Sequence, residues 1–361
     1  MKIAIFGLSI TSSWGNGHAT TYRGLVRELS KRGHEIVFLE RDVPWYAQNR
    51  DLEVQGFGAE LILYESLDDL DVYSSLVQEA DAVVVGSYVP EGKHVMDWVL
   101  RHAKGVTAFY DIDTPVTLAR LEEGDCGYLS AEGIPKFDLY LSFTGGRTLK
   151  RLEHVYGARS ARAFYCSVDP DLYYPMILPK RWDLGYLGTY SEDRQPTMRE
   201  LLIHAAEWIK TKSFIVAGPL YPETIRWPEN VERLEHLAPG EHREFYNSQR
   251  FALNITRSDM IAAGYSPSVR LFEAAACGTP IISDWWEGLD DFFEIGSELL
   301  IAEDTEQVCD LLNGLSPREA LKIGMAGRRK VLSRHTAAHR ALEFEKYIAE
   351  VHERNVLHLS T

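Results

Sequence analysis

Ser266-Pro267-Ser268-Val269-Arg270-Leu271-Phe272-Glu273-Ala274-Ala275-Ala276-Cys277-Gly278-Thr279-Pro280-Ile281-Ile282-Ser283-Asp284-Trp285-Trp286-Glu287-Gly288 spells a loop exit, a helix and a buried strand in one run. Gly264-Tyr265 reads as the loop and Ser266 as an N-cap whose hydroxyl accepts an orphan helix N–H. Pro267 then takes the first helical position, where a missing donor costs nothing. At about 100° per residue, Ser266, Arg270, Glu273 and Cys277 share one side of the helix, and Val269, Phe272, Ala275 and Ala276 the other. The pattern predicts an apolar back turned inward and an arginine and a carboxylate on the front. Gly278 ends the helix, Thr279-Pro280 turns the chain, and Ile281-Ile282 opens a strand.

A helix N-terminus carries about half a positive charge and a row of unpaired N–H groups, which suits a phosphate. Glu273 offers acceptor oxygens to a sugar diol. Phosphate and ribose at that separation describe a nucleotide. The competing reading is an ordinary surface helix carrying an i,i+3 ion pair.

Working outward, residues 2–8 have the pattern of a buried strand, 9–17 of a Ser/Thr/Asn/Gly loop, 19–32 of a helix closed by Gly33, and 35–39 of a second strand. That is the opening of a doubly wound α/β domain. Gly7-x-Ser9 is not the Gly-x-Gly of the dinucleotide fingerprint; Gly15-Asn16-Gly17-His18 instead places a flexible loop and an imidazole over the end of the first strand. Strands at 60–64, 82–87, 106–110 and 139–143 alternate with helices at 67–79, 93–104 and from Arg147 to about 156. Residues 167–182 hold three prolines and no periodicity, and read as a linker. A second alternation follows, with strands at 183–187, 214–217, 251–256 and 298–301, and helices at 307–313, 317–332 and 337–352 finish the chain.

The expected organisation is an N-terminal Rossmann-like domain over 1–166, the linker 167–182, a C-terminal Rossmann-like domain over 183–333 and a helical segment over 334–361. Two such domains put their carboxyl-edge loops face to face across a cleft, the natural ligand site. The last helix, with Leu342, Tyr347, Ile348 and Val351 on one side, either crosses back to the first domain or is a plain terminal helix of the second.

Composition narrows the class. The 361 residues are 45% hydrophobic and 25% charged, which fits a soluble globular chain of two domains. A net charge of −15 argues against nucleic acid or an anionic membrane as the main partner. Cys126, Cys166, Cys277 and Cys309 show neither CxxC nor metal spacing, as expected of reduced thiols in a cytoplasmic protein. No run approaches the roughly 18 apolar residues of a membrane span, and residues 1–7 are too short an apolar run for a signal peptide.

Three segments carry a family resemblance: Tyr110-Asp111-Ile112-Asp113-Thr114-Pro115-Val116-Thr117-Leu118, Asp183-Leu184-Gly185-Tyr186-Leu187-Gly188-Thr189-Tyr190, and residues 264–284. They resemble nucleotide-sugar glycosyltransferases of the GT-B fold and, more narrowly, the CgeB-type group named for a spore maturation protein. The resemblance spans most of the chain and is weakest over 42–76. It implies two doubly wound Rossmann-like α/β domains, acceptor on the N-terminal one and donor on the C-terminal one. It also implies a nucleoside diphosphate sugar as co-substrate rather than a resident cofactor. Glu273 matches the glutamate that holds the ribose, and Arg194 stands where a basic residue meets the diphosphate, just beyond Gly188 and Thr189 on the donor side. The superfamily's other glutamate, eight positions before Glu273, is Tyr265 here, so donor-sugar contacts do not carry over.

Breaking a sugar–diphosphate bond requires stabilisation of an anionic leaving group, which Arg194, Arg270 and the N–H groups at Ser266 and Ser268 could supply without a metal. Asp111-x-Asp113 follows a strand of the acceptor domain, where a metal pair is discounted. Either Asp113 caps the next helix, or Asp111 or Asp113 orients His18 as the base that takes the acceptor proton. Thr144-Gly145-Gly146-Arg147 reads as an anion-binding turn or a plain glycine turn, and Trp285-Trp286 as a sugar-pocket wall or as packing. The expected activity is metal-independent sugar transfer to an acceptor. Its rivals are a nucleotide-sugar epimerase on the same fold and a non-catalytic nucleotide-sugar-binding module.

Overall fold

The computed structural model describes residues 1–52 and 58–359. The chain divides into two compact units, Met1–Cys166 with Ala337–Thr361, and Ser167–Thr336.

The first unit holds seven strands: β1 (Lys2–Gly7), β2 (Glu35–Arg41), β3 (Glu60–Tyr64), β4 (Ala82–Gly86), β5 (Val106–Asp111), β6 (Leu139–Ser142) and β7 (Ala161–Ala163). They form one parallel sheet in the order β3-β2-β1-β4-β5-β6-β7. Alternate residues feed opposite cores. Ala4, Phe6, Val83, Val85 and Phe109 lie on one side, and Ile3, Ile5, Val84, Ala108 and Tyr110 on the other. Burial on both faces is why these strands read as unbroken apolar runs. The three-residue β7, with Arg162 at its centre, has no such run and was not anticipated.

The C-terminal helix Ala337–Leu359 belongs to this unit, where Ala341, Phe344, Ile348 and Val351 join the core of Ile3, Ile5 and Tyr22. Leu342 is 49% exposed, so the buried stripe lies to one side of the expected one. Gly24 of the helix His18–Lys31 allows the close approach, since a Cβ there would lie 3.1 Å from that of Ala337.

The second unit holds β8 (Trp182–Leu187), β9 (Phe214–Ala217), β10 (Val231–Leu234), β11 (Gln249–Asn254), β12 (Ile281–Ser283) and β13 (Leu300–Ile301). These too are parallel, in the order β10-β9-β8-β11-β12-β13. Residues 167–182 are part of this unit rather than a free connection. Asn247 supplies the partners their backbone lacks, accepting from Met176 N (2.7 Å) and donating to the Tyr174 carbonyl (3.0 Å). In both sheets the strand order reverses beside the first strand, between β1 and β4 and between β8 and β11. Such switch points open a crevice at the carboxyl ends of the flanking strands. No helix among the described residues is long and apolar enough to cross a membrane.

Candidate functional site

In the second unit the helix of the quoted stretch runs Val269–Ala276, with Ser268, not Ser266, at its N-cap and Pro267 outside it. The Ser268 hydroxyl donates to Asn254 Oδ1 (2.8 Å) instead of accepting from the helix, so the N-cap side chain does not cap the first turn. At the other end Gly278 has φ +72°, and the N–H groups of Gly278 and Thr279 close on the carbonyls of Ala275 (2.8 Å) and Ala274 (3.1 Å). This is a Schellman closure. Arg270 is 9% exposed and Glu273 5%, which excludes the surface ion pair. The polar face of the helix is covered by other polar groups, a possibility the periodicity does not encode.

Arg270 spans the switch point. Its Nε donates to the carbonyl of Leu187, the last residue of β8 (2.6 Å), and its Nη1 to Asn254 Oδ1, on the last residue of β11 (2.9 Å). Its guanidinium lies 4.6 Å from the centre of the Tyr186 ring. Asn254 is fully buried and donates in turn to Ser283 Oγ (2.9 Å) and Thr256 Oγ1 (3.2 Å). Asp284 accepts from Thr256 N (2.8 Å) and Oγ1 (2.7 Å), and burial holds its carboxyl above the usual range despite those donors. Gly188 completes the cradle, because a Cβ there would lie 2.7 Å from Arg270 Nη2.

Arg194 ends a short 3-10 turn, Glu192–Arg194, and donates from Nη2 to the carbonyl of Thr189 (2.7 Å). Its buried Nε has no hydrogen-bond partner. Burial lowers its pKa, and the positive charges of Arg270 and Arg257 act in the same direction. Arg257 was missed by the sequence reading, although its place three residues beyond β11 puts it at the same sheet edge. An orphaned guanidinium N–H, neighbouring cations and a helix start that its N-cap side chain does not bond are groups able to hold an anion.

Glu273, one turn into the helix, accepts from Tyr246 OH (3.1 Å) and lies 3.9 Å from His242 Nδ1, and its charge, after burial, raises the pKa of the neighbouring Tyr173 phenol. None of these three was singled out in the sequence. Tyr265 holds a left-handed backbone (φ +47°) and bonds the Glu287 carbonyl (2.6 Å), while its ring packs where a side chain on Gly288 would stand. Such a conformation in a non-glycine residue stores of order 1 kcal/mol or more. Trp286 is core, 5.9 Å from Phe292 between ring centres, and Trp285 is 53% exposed, so the pair does not form one wall.

In the first unit the loop after β1 is pinned rather than flexible. The fully buried Glu40 accepts from Ser9 Oγ (2.8 Å), Ile10 N (2.7 Å) and Thr11 N (3.0 Å), and Asn16 Oδ1 accepts from His18 N (3.1 Å). The expected pairing of His18 with an aspartate is not formed. His18 Nδ1 has no partner and no water-accessible surface, and burial lowers the imidazole pKa to about 4. Tyr88 stands between, with its ring 5.5 Å from that of His18 and its hydroxyl donating to Asp113 Oδ2 (3.0 Å). Asp113 occupies the N-cap of the helix Thr114–Glu123 without a side-chain capping bond. Asp111 has no exposed surface and accepts from Tyr140 OH (2.5 Å) and Thr117 Oγ1 (2.7 Å); burial raises its pKa to about 6. Any part it plays is therefore indirect. At Thr144-Gly145-Gly146-Arg147, Gly145 leaves room for the Tyr165 hydroxyl, which accounts for that glycine by packing.

A family model described as glycosyl transferase-like matches residues 194–346, a span that includes Arg194, Ser266, Ser268, Arg270 and Glu273. No curated protein matches the chain. Among solved structures, sucrose-phosphate synthase from Thermosynechococcus elongatus aligns with TM-score 0.69 at 14% identity, covering 98% of this chain and 100% of that one. HepE of Anabaena in complex with UDP-glucose aligns with TM-score 0.70 at 12% identity, covering 97% and 100%. An alpha-glucosyltransferase in complex with UDP-glucose and DNA aligns with TM-score 0.72 at 16% identity, covering 97% and 99%. Two parallel-sheet α/β units, matched over nearly the whole chain to glycosyltransferases of this architecture, give the protein the GT-B fold.

Proposed function

We propose that the protein is a glycosyltransferase that moves a sugar from a nucleoside diphosphate sugar to an acceptor hydroxyl, and that it belongs to the CgeB-type group. The family model and the fold support the transferase class. The observation that carries the reading is Arg270 bridging the ends of β8 and β11, with the unpartnered Nε of Arg194 nearby and the start of the Val269–Ala276 helix, which its N-cap side chain does not bond. The diphosphate sits against these groups, Gly188 and Thr189 border it, and the ribose diol reaches Glu273. As the sugar–oxygen bond breaks, negative charge grows on the leaving phosphate, and two guanidiniums with oriented amides stabilise it in place of a metal. His18, neutral at physiological pH, and Asp113 flank the acceptor side, with Asp111 behind them. We place the enzyme in the cytoplasm, where such donors are made.

UDP-glucose is the first donor to try, because HepE and the alpha-glucosyltransferase bind it. The test is calorimetric titration with UDP, followed by donor consumption with and without an acceptor library in the presence of a chelator. Binding of UDP, with consumption that requires an acceptor and survives the chelator, supports the reading. Consumption without acceptor would favour the epimerase, and absence of nucleotide binding would remove the proposal.

A further inference from the structure

We infer that Tyr246 and Tyr173 form a phenol clamp that fixes the Glu273 carboxylate for the ribose diol, an inference that rests on the nucleotide-binding reading of Glu273. Tyr246 lies on the helix Pro239–Asn247 and is buried; its hydroxyl donates to Glu273 Oε2 at 3.1 Å. Tyr173 approaches from the segment before β8 and is also buried; its hydroxyl lies 3.3 Å from His242 Nδ1, close enough to the same carboxylate for the Glu273 charge, after burial, to raise its pKa. Burial together with the Glu273 charge holds both phenols far above their ordinary pKa, so each remains a donor.

Lone-pair arithmetic gives the clamp its purpose. An ionised carboxylate has about four acceptor positions. Two phenol donors leave about two, the number that a cis-diol with two O–H groups needs. Held this way, the carboxylate cannot swing to another donor, and the plane in which it receives the diol is set before the ligand arrives. Such pre-ordering strengthens binding by removing a reorganisation step.

The two phenols are not equivalent. His242 Nε2 lies 3.3 Å from the Leu237 carbonyl, which can only accept, so Nε2 carries the ring proton. Nδ1 lies 3.3 Å from Tyr173 OH and gives that hydroxyl a second partner. Tyr173 OH is engaged with His242 as well as facing Glu273, whereas Tyr246 OH donates to Glu273. Tyr246 is accordingly the stronger positioning residue.

The experiment compares UDP with 2′-deoxy-UDP by calorimetry in the full-length chain, as wild type, Tyr246→Phe, Tyr173→Phe, Glu273→Gln and Tyr246→Phe/Glu273→Gln. Wild type should prefer UDP by about tenfold or more, and Tyr246→Phe should cut that preference about fivefold while 2′-deoxy-UDP binds as before. Tyr173→Phe should cut it less, and Tyr246→Phe should add nothing once Glu273→Gln is present. A wild type that ignores the 2′-hydroxyl would overturn the placement of ribose at Glu273 itself. A wild type that discriminates while Tyr246→Phe and Tyr173→Phe keep its full ratio would overturn the clamp alone. Should Tyr246→Phe fail to fold, Tyr173→Phe still decides, because an unchanged ratio in that variant contradicts the shared carboxylate.

Discussion

Asp111 should make the first unit less stable as pH rises through the weakly acidic range. Its carboxyl is fully buried, has no cation among the causes of its shift, and is pushed by burial from 3.8 to about 6. The direction is opposite to that of a salt-bridged aspartate. Because the folded-state pKa lies above the unfolded one, the native protein holds this proton more tightly, so the contribution to stability is greatest below pH 3.8 and is lost as pH rises through 6. At 1.36 kcal/mol per pH unit the displacement amounts to about 3 kcal/mol at neutral pH. His18 works against it in the same window: its pKa falls from 6.5 to about 4, so its contribution grows as pH rises and is complete above 6.5. The wild-type profile alone therefore conflates the two. The difference between wild type and Asp111→Asn cancels His18 and isolates the carboxyl. Measured by urea unfolding from pH 4 to pH 8, the variant should gain on wild type by about 2 kcal/mol between pH 4 and pH 7, the rest of the displacement lying below pH 4. A pH-independent offset will accompany that gain, because the amide NH2 cannot accept the Tyr140 proton. A difference that stays flat across the window would refute the argument.

Gly188→Ala would place a methyl 2.7 Å from both Arg270 Nη2 and Tyr186 OH, and should lower stability by about 1–3 kcal/mol in thermal unfolding and weaken UDP binding in the same sample. Arg194→Met should weaken UDP about tenfold by calorimetry and leave uridine unaffected, because its proposed partner is the phosphate rather than base or ribose. His18→Ala should abolish sugar transfer while UDP titration is unchanged, and wild-type kcat/KM should fall only as pH approaches 4, where the imidazole gains its proton.

Regular features with a single repeating cause were legible in the sequence. Unbroken apolar runs marked β1, β4 and β5, and the Glu-Ala-Ala-Ala-Cys-Gly-Thr-Pro turn announced both a helix end and the strand behind it. What the sequence hid depends on partners far along the chain. Ser266 reads as a better N-cap than Ser268 because Pro267 suits the first helical position; Asn254, fourteen residues upstream, claims the Ser268 hydroxyl and starts the helix later. The loop 9–17 looks flexible by composition, and only Glu40 on β2 makes it rigid. Tyr88, the residue between His18 and Asp113, carries no motif at all, and its left-handed backbone (φ +63°) is invisible to periodicity.

The two switch points share one topology and differ in electrostatics, and the proposed function assigns a different ligand to each on that difference. At the end of β8 and β11, Arg194, Arg257 and Arg270 are close enough for each of the other two to depress the pKa of Arg194. Asp193 and Asp284 offset part of this positive charge, and a bound diphosphate would offset more of it. At the end of β1 and β4 the groups are a neutral imidazole, two phenols (Tyr88 and Tyr128), the carboxyls of Asp111 and Asp113, and one guanidinium, Arg120, 5.4 Å from the Tyr88 ring centre; the ring centres of the phenols are 4.6 Å apart. A diphosphate brought there would face carboxylate charge and an unprotonated histidine. A hydroxyl, by contrast, finds acceptors in His18 and Asp113. On the proposed function, the same sheet order would serve an anionic donor in one unit and a neutral, hydroxylated acceptor in the other. Reversing the donor edge with Arg194→Glu should abolish UDP binding, whereas Asp113→Asn should leave UDP binding intact and reduce transfer.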